Sequence, residues 1–192
     1  SPHEHLMARI KRLALHGLSA DAWARYSDEG YRHYLVEEAG YKYNMTDLQA
    51  AIGLHQLERV EKNWMRRRDI WNRYNDAFKH LRVSIPPRCP HEIRHARHLY
   101  TIRIDIKRHG MDRDTFLSRL HERNIGTGVH YLALPEHPYY RERFGWKIDD
   151  YPHARDTGRT TVSLPLSAGL SNDDVNDVIE AVREVLKAGV RS

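Results

Sequence analysis

The sequence contains a single cysteine, Cys89, among its 192 residues. One thiol cannot form a disulfide within the chain, and it cannot supply the several thiolates of a cysteine-rich metal site. The sequence also lacks any apolar run close to the roughly 18 residues that a transmembrane helix needs. These absences, together with the absence of an opening secretory pattern, predict a soluble protein in the cytoplasm.

Several motifs of common enzyme sites are missing as well. The glycines form neither the G-x-G-x-x-G pattern of dinucleotide-binding folds nor a P-loop, and the patterns G-x-S-x-G and H-E-x-x-H are absent. His91, His95 and His98 have suggestive spacing, but Pro90 precedes them and a strand is expected to begin at His98. A shared helical face for these histidines, and with it a zinc site, is therefore disfavoured.

The charge of the chain is positive but mixed. Its 31 lysines and arginines are interleaved with 26 acidic residues, which gives a formal net charge of +5. Only residues 66–68 form a compact run of arginines, and acids flank it within a helical pattern. This context favours a solvated helix face over a phosphate-binding tract, while a basic module that binds nucleic acid stays open as an alternative.

The strongest structural pattern predicts one long helix over residues 46–80. Thr46 and Gln49 form a capping box, in which each side chain accepts a hydrogen bond from the other residue's backbone amide. Apolar and aromatic residues follow at helical spacing and predict one continuous buried stripe: Leu57, Val60, Trp64, Trp71, Tyr74, Phe78 and Leu81. At about 1.5 Å per residue, such a helix is long enough to bridge two domains or two subunits.

The remaining chain, residues 82–192, predicts a small α+β domain that contains a three-stranded sheet with helices. Strands are expected over residues 98–105, 127–132 and 160–166, and because the last contains Pro165 it is expected to lie at a sheet edge or to end early. Asp112 is expected to cap a short helix, and Ser171 and Asp174 to cap a regular final helix. Most of residues 135–159 is expected to be loop, with one helical turn near residues 139–144.

Two pairs of polar residues could bind ligands. Lys42 and Asn44 lie in the stretch GYKYNMTDLQAAIG, directly before the expected helix start at Thr46. Unpaired amides at such an end attract phosphate or carboxylate groups, and the two side chains add donors, but the same residues could be ordinary loop residues. His130 and Tyr131 lie at the end of an expected strand, where they could face a ligand or simply pack.

Several short motifs follow one another along the chain. They are GYKYNMTDLQAAIG from Gly40, HLY from His98, GTGVHY from Gly126, YYRERF from Tyr139 and SLPL from Ser163. In this order and spacing they resemble the carboxyl-terminal half of the DegT/DnrJ/EryC1/StrS family of sugar aminotransferases, which use pyridoxal 5'-phosphate (PLP). GYKYN, GTGVHY and YYRERF resemble its UDP-4-amino-4-deoxy-L-arabinose aminotransferase type most. The resemblance covers essentially the whole chain.

This resemblance implies a fold-type-I transferase, in which two subunits of a homodimer share each active site. The family's amino-terminal domain supplies the lysine that holds PLP, and no lysine of this chain has the Glu-Gly-Gly context that follows it. We therefore expect the carboxyl-terminal part of an enzyme that transfers an amino group from glutamate to a keto group of a nucleotide-linked sugar. The chain alone is expected to contain no catalytic residue and to be inactive. A PLP-dependent sugar dehydratase of the same family is an alternative.

The resemblance also implies roles for both residue pairs. In the family, the stretch that matches Gly40 to Asn44 reaches across the dimer and bonds the cofactor phosphate, often with asparagine where this chain has Lys42. Lys42 and Asn44 are therefore expected to bind the cofactor, and His130 and Tyr131 to lie near the nucleotide-sugar. Residues 1–45 are expected to be the end of the PLP-binding domain and residues 46–81 the bridging helix, with no metal, nucleic-acid or membrane partner.

Overall fold

The computed structural model describes residues 2–19 and 34–189, and the chain divides into two units, Ser1–Arg59 and Val60–Ser192. The first unit contains helix α1 (Glu4–Ala14) and helix α2 (Asp47–Glu58). The predicted capping box begins α2: Thr46 Oγ1 accepts from the amide of Gln49 at 3.4 Å, and Gln49 Oε1 accepts from the amide of Thr46 at 2.9 Å. Two of the free donors at this helix end are satisfied in this way.

The single helix expected over residues 46–80 is instead two helices, because α2 ends at Glu58 and α3 (Val60–Phe78) begins two residues later. Between them, the amide of Arg59 turns back to the carbonyls of Gln56 and Leu57, and its guanidinium donates to the carbonyl of His55 at 3.3 Å. These bonds satisfy carbonyls that a helix end leaves free. The bridging role expected for this segment stays a prediction.

The second unit contains the sheet and the remaining helices. In chain order these are β1 (Val83–Ser84), β2 (Tyr100–Ile104), α4 (Ile106–His109), α5 (Arg113–His121), α6 (Pro138–Phe144), α7 (Pro152–Thr160), β3 (Thr161–Leu164) and α8 (Asn172–Gly189). Short 3-10 turns precede α6 and α7, at Leu134–Glu136 and Ile148–Asp150. The α+β class predicted from the sequence is therefore confirmed.

The sheet is antiparallel with the order β1-β2-β3, so β3 lies at an edge as predicted and ends just before Pro165. The strand expected over residues 127–132 is wrong, because only Gly128 pairs there, in a single bridge with Ser163. The third strand is instead the two-residue β1, whose Val83 is opposite Ile104. A strand of this length is too short to produce an alternating sequence pattern.

The core of the second unit lies between one face of the sheet and the helices α3, α5 and α8. Its fully buried larger side chains are Ile70, Tyr74, Phe78, Tyr100, Ile102, Ile104, Phe116, Leu120, Val162, Val175, Val182 and Val185. The predicted apolar faces of β2, α5 and α8 are thus confirmed. The continuous stripe expected along the long helix is wrong at its start, since Leu57 is 68% exposed and burial along α3 begins only at Ile70.

Two buried tyrosines place hydroxyl groups inside this core. Tyr74 donates to the carbonyl of Pro165 and Tyr100 donates to Asn75 Oδ1, each at 2.9 Å, and their rings lie 5.0 Å apart. Burial raises the pKa of both phenols above the usual value, so they stay protonated and remain donors. Each buried hydroxyl therefore donates to an acceptor, which avoids the cost of an unpaired polar group in the core.

The expected caps of α5 and α8 are present. Asp112 accepts from the amide of Thr115 at 2.7 Å, while Ser171 and Asp174 accept from each other's backbone amides. The bond from the Thr115 amide lowers the pKa of Asp112, and the bond from the Ser171 amide lowers that of Asp174, because each stabilises the carboxylate. Asp112 caps the start of α5, and the pair Ser171 and Asp174 caps the start of α8, as the sequence predicts.

Residues 135–159 contain more helix than the loop expected there. Helix α6 contains the predicted turn near residues 139–144, but α7 was missed. Each of these helices begins with a proline, a residue favoured at the first helical position because its missing amide proton has no acceptor there. Among the described residues, no helix is long and apolar enough to cross a membrane.

Candidate functional site

The segment that carries Lys42 and Asn44 is fixed by backbone hydrogen bonds to the end of α1. The amide of Tyr41 donates to the carbonyl of Leu13 at 2.7 Å, and the amide of Tyr43 donates to the carbonyl of Ala14 at 2.8 Å. The amide of His16 returns a bond to the carbonyl of Tyr41 at 2.8 Å. Residues 41–43 therefore lie extended along residues 13–16.

Two glycines let these backbones approach closely. Gly17 has a positive φ of 71°, and a Cβ atom on it would lie 1.7 Å from the carbonyl oxygen of Glu38. A Cβ atom on Gly40 would lie 2.1 Å from the amide nitrogen of Gly17. Because a side chain fits at neither position, the path of the segment depends on both glycines. An ion pair of 2.8 Å between Arg12 and Glu37 joins the same two stretches.

Lys42 and Asn44 lie on the same side of the extended segment, since side chains alternate along such a backbone. Tyr41 and Tyr43 alternate with them, and their rings stack at 5.0 Å with only 2° between their planes. Lys42 is exposed and Asn44 is half-buried. Neither side chain has a hydrogen-bond partner within residues 2–19 and 34–189, so their donors are available to a ligand.

The N-terminus of α2 lies directly after this pair but offers fewer donors than its sequence suggests. The capping box occupies the amide of Gln49, which leaves the amides of Asp47 and Leu48 as free donors within the described part of the chain. Asp47 also places a carboxylate in the first turn. A phosphate in this position would therefore depend mainly on the side chains of Lys42 and Asn44.

The second predicted pair lies in the other unit, beside β3. His130 Nδ1 lies 2.8 Å from Ser163 Oγ, and this hydrogen bond orients the imidazole ring. Gly128 pairs with Ser163 through bonds of 3.0 and 2.8 Å, and a Cβ atom on Gly128 would lie only 2.9 Å from the His130 ring. The segment 128–130 is thus fixed on β3, and His130 Nε2 is left to contact a ligand.

Tyr131 extends from the same segment. Its side chain is 73% exposed, and its ring meets the ring of His130 edge-on at 4.8 Å. The backbone behind it passes close to α7, where a Cβ atom on Gly158 would lie 2.8 Å from the amide of Ala133. Arg113, which is buried, donates to the carbonyl of Gly158 at 2.6 Å and fixes α7 in turn. His130 and Tyr131 therefore form a supported, outward-facing pair of polar groups.

The sequence did not identify the residues that position this pair. Ser163 was only part of the SLPL motif, and its contact with His130 comes from a backbone pairing that spans 33 residues. Gly128 could have been recognised, because a glycine inside an expected strand often marks a close approach of another backbone.

His95, one of the three histidines considered as zinc ligands, has other contacts. His95 Nδ1 accepts a hydrogen bond from the amide of Arg97 at 2.9 Å, and the carbonyl of His95 accepts from the Trp64 indole at 2.8 Å. In the parts of the chain that the structure covers, no group of three or more histidine, cysteine, aspartate or glutamate side chains could hold a metal ion.

The fold matches those of solved sugar aminotransferases. A putative sugar aminotransferase of Streptococcus pneumoniae, Spr1654, in the form that contains pyridoxamine phosphate superposes with a TM-score of 0.80 at 29% identity over 98% of this chain and 45% of that one. Its PLP form gives a TM-score of 0.79 at 28% identity over 97% of this chain and 44% of that one. The class defined by this likeness is that of the PLP aminotransferases.

The model of the DegT/DnrJ/EryC1/StrS aminotransferase family matches residues 1–183, and the chain belongs to this family. The spore coat polysaccharide biosynthesis protein SpsC of Bacillus subtilis is 47% identical over 96% of this chain. The uncharacterized protein MJ1066 of Methanocaldococcus jannaschii is 44% identical over the same share. The chain spans about half the length of these relatives, 48% of each. The family resemblance predicted from the short motifs is thus confirmed.

Proposed function

We propose that the whole protein is a PLP-dependent aminotransferase that moves an amino group from glutamate to a keto group of a nucleotide-linked sugar. In this proposal the present chain is the carboxyl-terminal part and contributes binding residues, while the lysine that holds PLP lies outside it. The observation that supports this most is the pair of free donors, Lys42 and Asn44. They lie on a segment that two glycines and three backbone hydrogen bonds hold in place, in a chain that belongs to the aminotransferase family. When bound, PLP supplies the electron-withdrawing ring that allows amino-group exchange.

Lys42 and Asn44 suit the phosphate of this cofactor. The Lys42 ammonium would neutralise part of the phosphate charge, and the Asn44 amide would add a directional donor beside it. Their common side of the extended segment lets both groups reach one phosphate. The role of these residues is to bind and orient the cofactor rather than to react.

His130 and Tyr131 suit the nucleotide-sugar. The ring orientation set by Ser163 leaves His130 Nε2 for a phosphate or sugar oxygen, and the exposed Tyr131 hydroxyl can donate to another. Because the ring is already oriented, less conformational freedom is lost when the substrate binds.

The surface of α2 supports a homodimer in the whole protein. None of the side chains of this 12-residue helix is buried, although several of them are apolar. Leu48 is 79% exposed, and Ile52, Leu54 and Leu57 are exposed as well. Exposed apolar surface of this kind usually marks an interface. We propose that a second subunit covers part of it and that the two subunits share their active sites.

A nucleic-acid role receives less support from the arginines at 66–68. Arg66 binds Asp69 at 3.1 Å and the carbonyl of Leu170 at 2.7 Å, and Arg67 donates to the carbonyl of Arg97 at 3.1 Å. These contacts within the chain leave few free donors for a phosphate backbone. We therefore propose an enzyme that acts on small molecules rather than a nucleic-acid-binding module. A cytoplasmic location is proposed with it, as expected from the sequence.

The cofactor proposal is tested by Lys42→Ala and Asn44→Ala in the full-length protein, with the PLP dissociation constant measured by fluorescence titration. Each substitution should weaken PLP binding by about tenfold or more, as expected for the loss of a hydrogen bond to a charged group. Lys62→Ala is the matched control, because Lys62 is an exposed lysine on α3. Unchanged PLP affinity in both variants would contradict the assigned roles.

The reaction itself is tested by supplying the full-length protein with PLP, glutamate and a panel of nucleotide-linked keto sugars. Formation of 2-oxoglutarate and an amino sugar in equal amounts would support the transferase. Loss of water from the sugar without glutamate consumption would instead identify a dehydratase. Salt-sensitive retention on DNA without either reaction would favour the binding-module alternative.

A further inference from the structure

A groove of about 610 Å³ lies within the second unit, between α3 and the segment that follows β1. One wall is formed by residues of α3, including Trp71, Asn75 and Lys79, and the other by residues 85–89 and Arg97. The charged groups that line it are three cations, Lys79, Arg88 and Arg97, against the single carboxylate of Asp76. That carboxylate lies 3.0 Å from the Lys79 ammonium, so the two arginines have no counter-charge in the lining.

Arg97 is held firmly in an unusual backbone conformation beside this groove. Its φ is 52°, a left-handed value that residues other than glycine seldom adopt. The amide of Arg97 donates to His95 Nδ1 at 2.9 Å, and its carbonyl accepts from Arg67 Nε at 3.1 Å. Backbone strain that neighbouring groups maintain in this way is a common feature of ligand sites.

The guanidinium of Arg97 is positioned by an aromatic ring but lacks hydrogen-bond acceptors in the described part of the chain. It lies over the ring of Trp71, 4.8 Å from the ring centroid, and its buried Nε atom has no acceptor among the described residues. Because Nε is covered, an anion in the groove would be met by the two terminal nitrogens of the guanidinium, which form no hydrogen bond with the described residues.

Two further groups present donors to the groove. Arg88 is exposed and forms no ion pair or hydrogen bond through its side chain with the described part of the chain. The Asn75 side chain is oriented by Tyr100, whose hydroxyl donates to Oδ1 at 2.9 Å. Because Oδ1 is taken, the free half of this amide is the NH₂ group, which is a donor.

We propose that this groove binds a small anion with at least two acceptor oxygens, such as a phosphate ester or a polycarboxylate. Arg97 and Arg88 supply charge and hydrogen bonds, and Asn75 adds a directional donor. None of the four residues assigned to cofactor and substrate lines this groove, so the inference goes beyond the proposed function.

Cys89 provides a local reporter, since it lines the groove and is the only cysteine of the sequence. The rate of its alkylation in the full-length protein can be followed by peptide mass spectrometry, with pyrophosphate and citrate as probes at constant ionic strength. Saturable slowing of alkylation by pyrophosphate alone would indicate a phosphate ester, and slowing by citrate alone a polycarboxylate. If neither probe slows alkylation, the proposal is wrong.

Arg88→Gln and Arg97→Gln should each weaken this protection by about tenfold, because each removes a charged donor. Arg82→Gln is the control, since it removes an equal charge from an exposed arginine outside the groove. If Arg97→Gln does not fold, the exposed Arg88 still decides the result. Equal weakening by Arg82→Gln would show a general charge effect. Protection lost in Asn44→Ala but kept in Arg88→Gln would place the anion at the proposed cofactor residues and overturn the inference.

Discussion

The two units of the chain differ most in what they bury. The second unit packs aromatic and aliphatic side chains from α3, β2, α5, β3 and α8 into one core. In the described part of the first unit, the buried residues are Gly17 and Ser19, and no apolar side chain joins them. The second unit therefore holds its fold through apolar burial, whereas the described residues of the first are joined by backbone bonds, close glycine contacts and ion pairs.

This difference indicates where each unit obtains its stability. A helix such as α2, with a good cap and an uncovered apolar surface, receives little from its own unit and most from whatever covers it. The candidate cofactor residues, Lys42 and Asn44, lie in this first unit. Ligand-binding segments are commonly drawn from such less stable regions.

The sharpest way to break the comparison is to truncate one large apolar side chain in each unit. Phe78→Ala removes a fully buried ring and should lower the free energy of unfolding by about 3–5 kcal/mol. Leu48→Ala, on α2, should change it by less than about 0.5 kcal/mol in the isolated chain, because the side chain is already exposed. Urea titration of each variant measures the effect.

A comparable loss in both variants would show that α2 packs in solution and would contradict the contrast. In the full-length protein, Leu48→Ala should instead weaken subunit association, which sedimentation equilibrium can measure.

The first unit should be most sensitive at its glycine contact. Gly40→Ala forces a Cβ atom to within 2.1 Å of the Gly17 amide nitrogen, so the segment with Lys42 must move. Hydrogen exchange at the amides of His16, Tyr41 and Tyr43 should accelerate by about tenfold or more. Gly53→Ala is the control, since no atom lies within 4 Å of its Cβ position and α2 should gain up to about 1 kcal/mol in helix propensity. Unchanged exchange in Gly40→Ala would refute the close packing.

The support of His130 can be weakened with a smaller change. Ser163→Ala removes the hydroxyl that orients the imidazole and should cost about 0.5–1.5 kcal/mol in stability. If the full-length protein is the proposed aminotransferase and the ring binds its nucleotide-sugar, KM for that substrate should rise more than kcat falls. The control is Ser118→Ala, which removes a hydroxyl that donates to the carbonyl of Asp114 on α5. An unchanged KM would contradict the positioning role.

The smallest effect concerns acid and the cap of α5. The amide of Thr115 lowers the pKa of Asp112 below its ordinary value of 3.8. A carboxylate of this kind contributes stability that is fully present above pH 3.8 and is lost as the pH falls through the lower folded value. Asp112→Asn keeps an acceptor oxygen but does not titrate, so unfolding measured between pH 7 and pH 2 should show a slightly weaker pH dependence. An identical pH dependence in the variant and the parent protein would show that the bond from the Thr115 amide to Asp112 does not contribute to stability.

Local chemistry made several elements predictable from the sequence. The pairs Thr46–Gln49 and Ser171–Asp174 specify helix starts, and the alternation along β2 specifies a buried face without knowledge of distant residues. Elements that depend on distant partners were missed. The two-residue β1 exists only through its pairing with β2, and the expected strand over 127–132 provides a single bridge.

The candidate site shows the same division. Lys42, Asn44, His130 and Tyr131 could be named from their positions before a helix start and at the end of an expected strand, and the family motifs suggested their roles. The sequence could not show which groups hold them in place. The contact of Ser163 with His130 and that of Gly40 with Gly17 join residues far apart in the chain. The capping box, although predicted, has the unforeseen effect of using a donor that a phosphate would otherwise contact.

The bridge between Gly128 and Ser163 also affects the solubility of the second unit. Ser163 lies in an edge strand, and the two bonds from Gly128 occupy its outward amide and carbonyl. Pro165, one residue beyond β3, cannot donate a backbone bond to an added strand. Edge strands blocked in these ways are poor templates for intermolecular β-pairing. The segment that presents His130 and Tyr131 therefore also closes the β3 edge of the small sheet to strand addition.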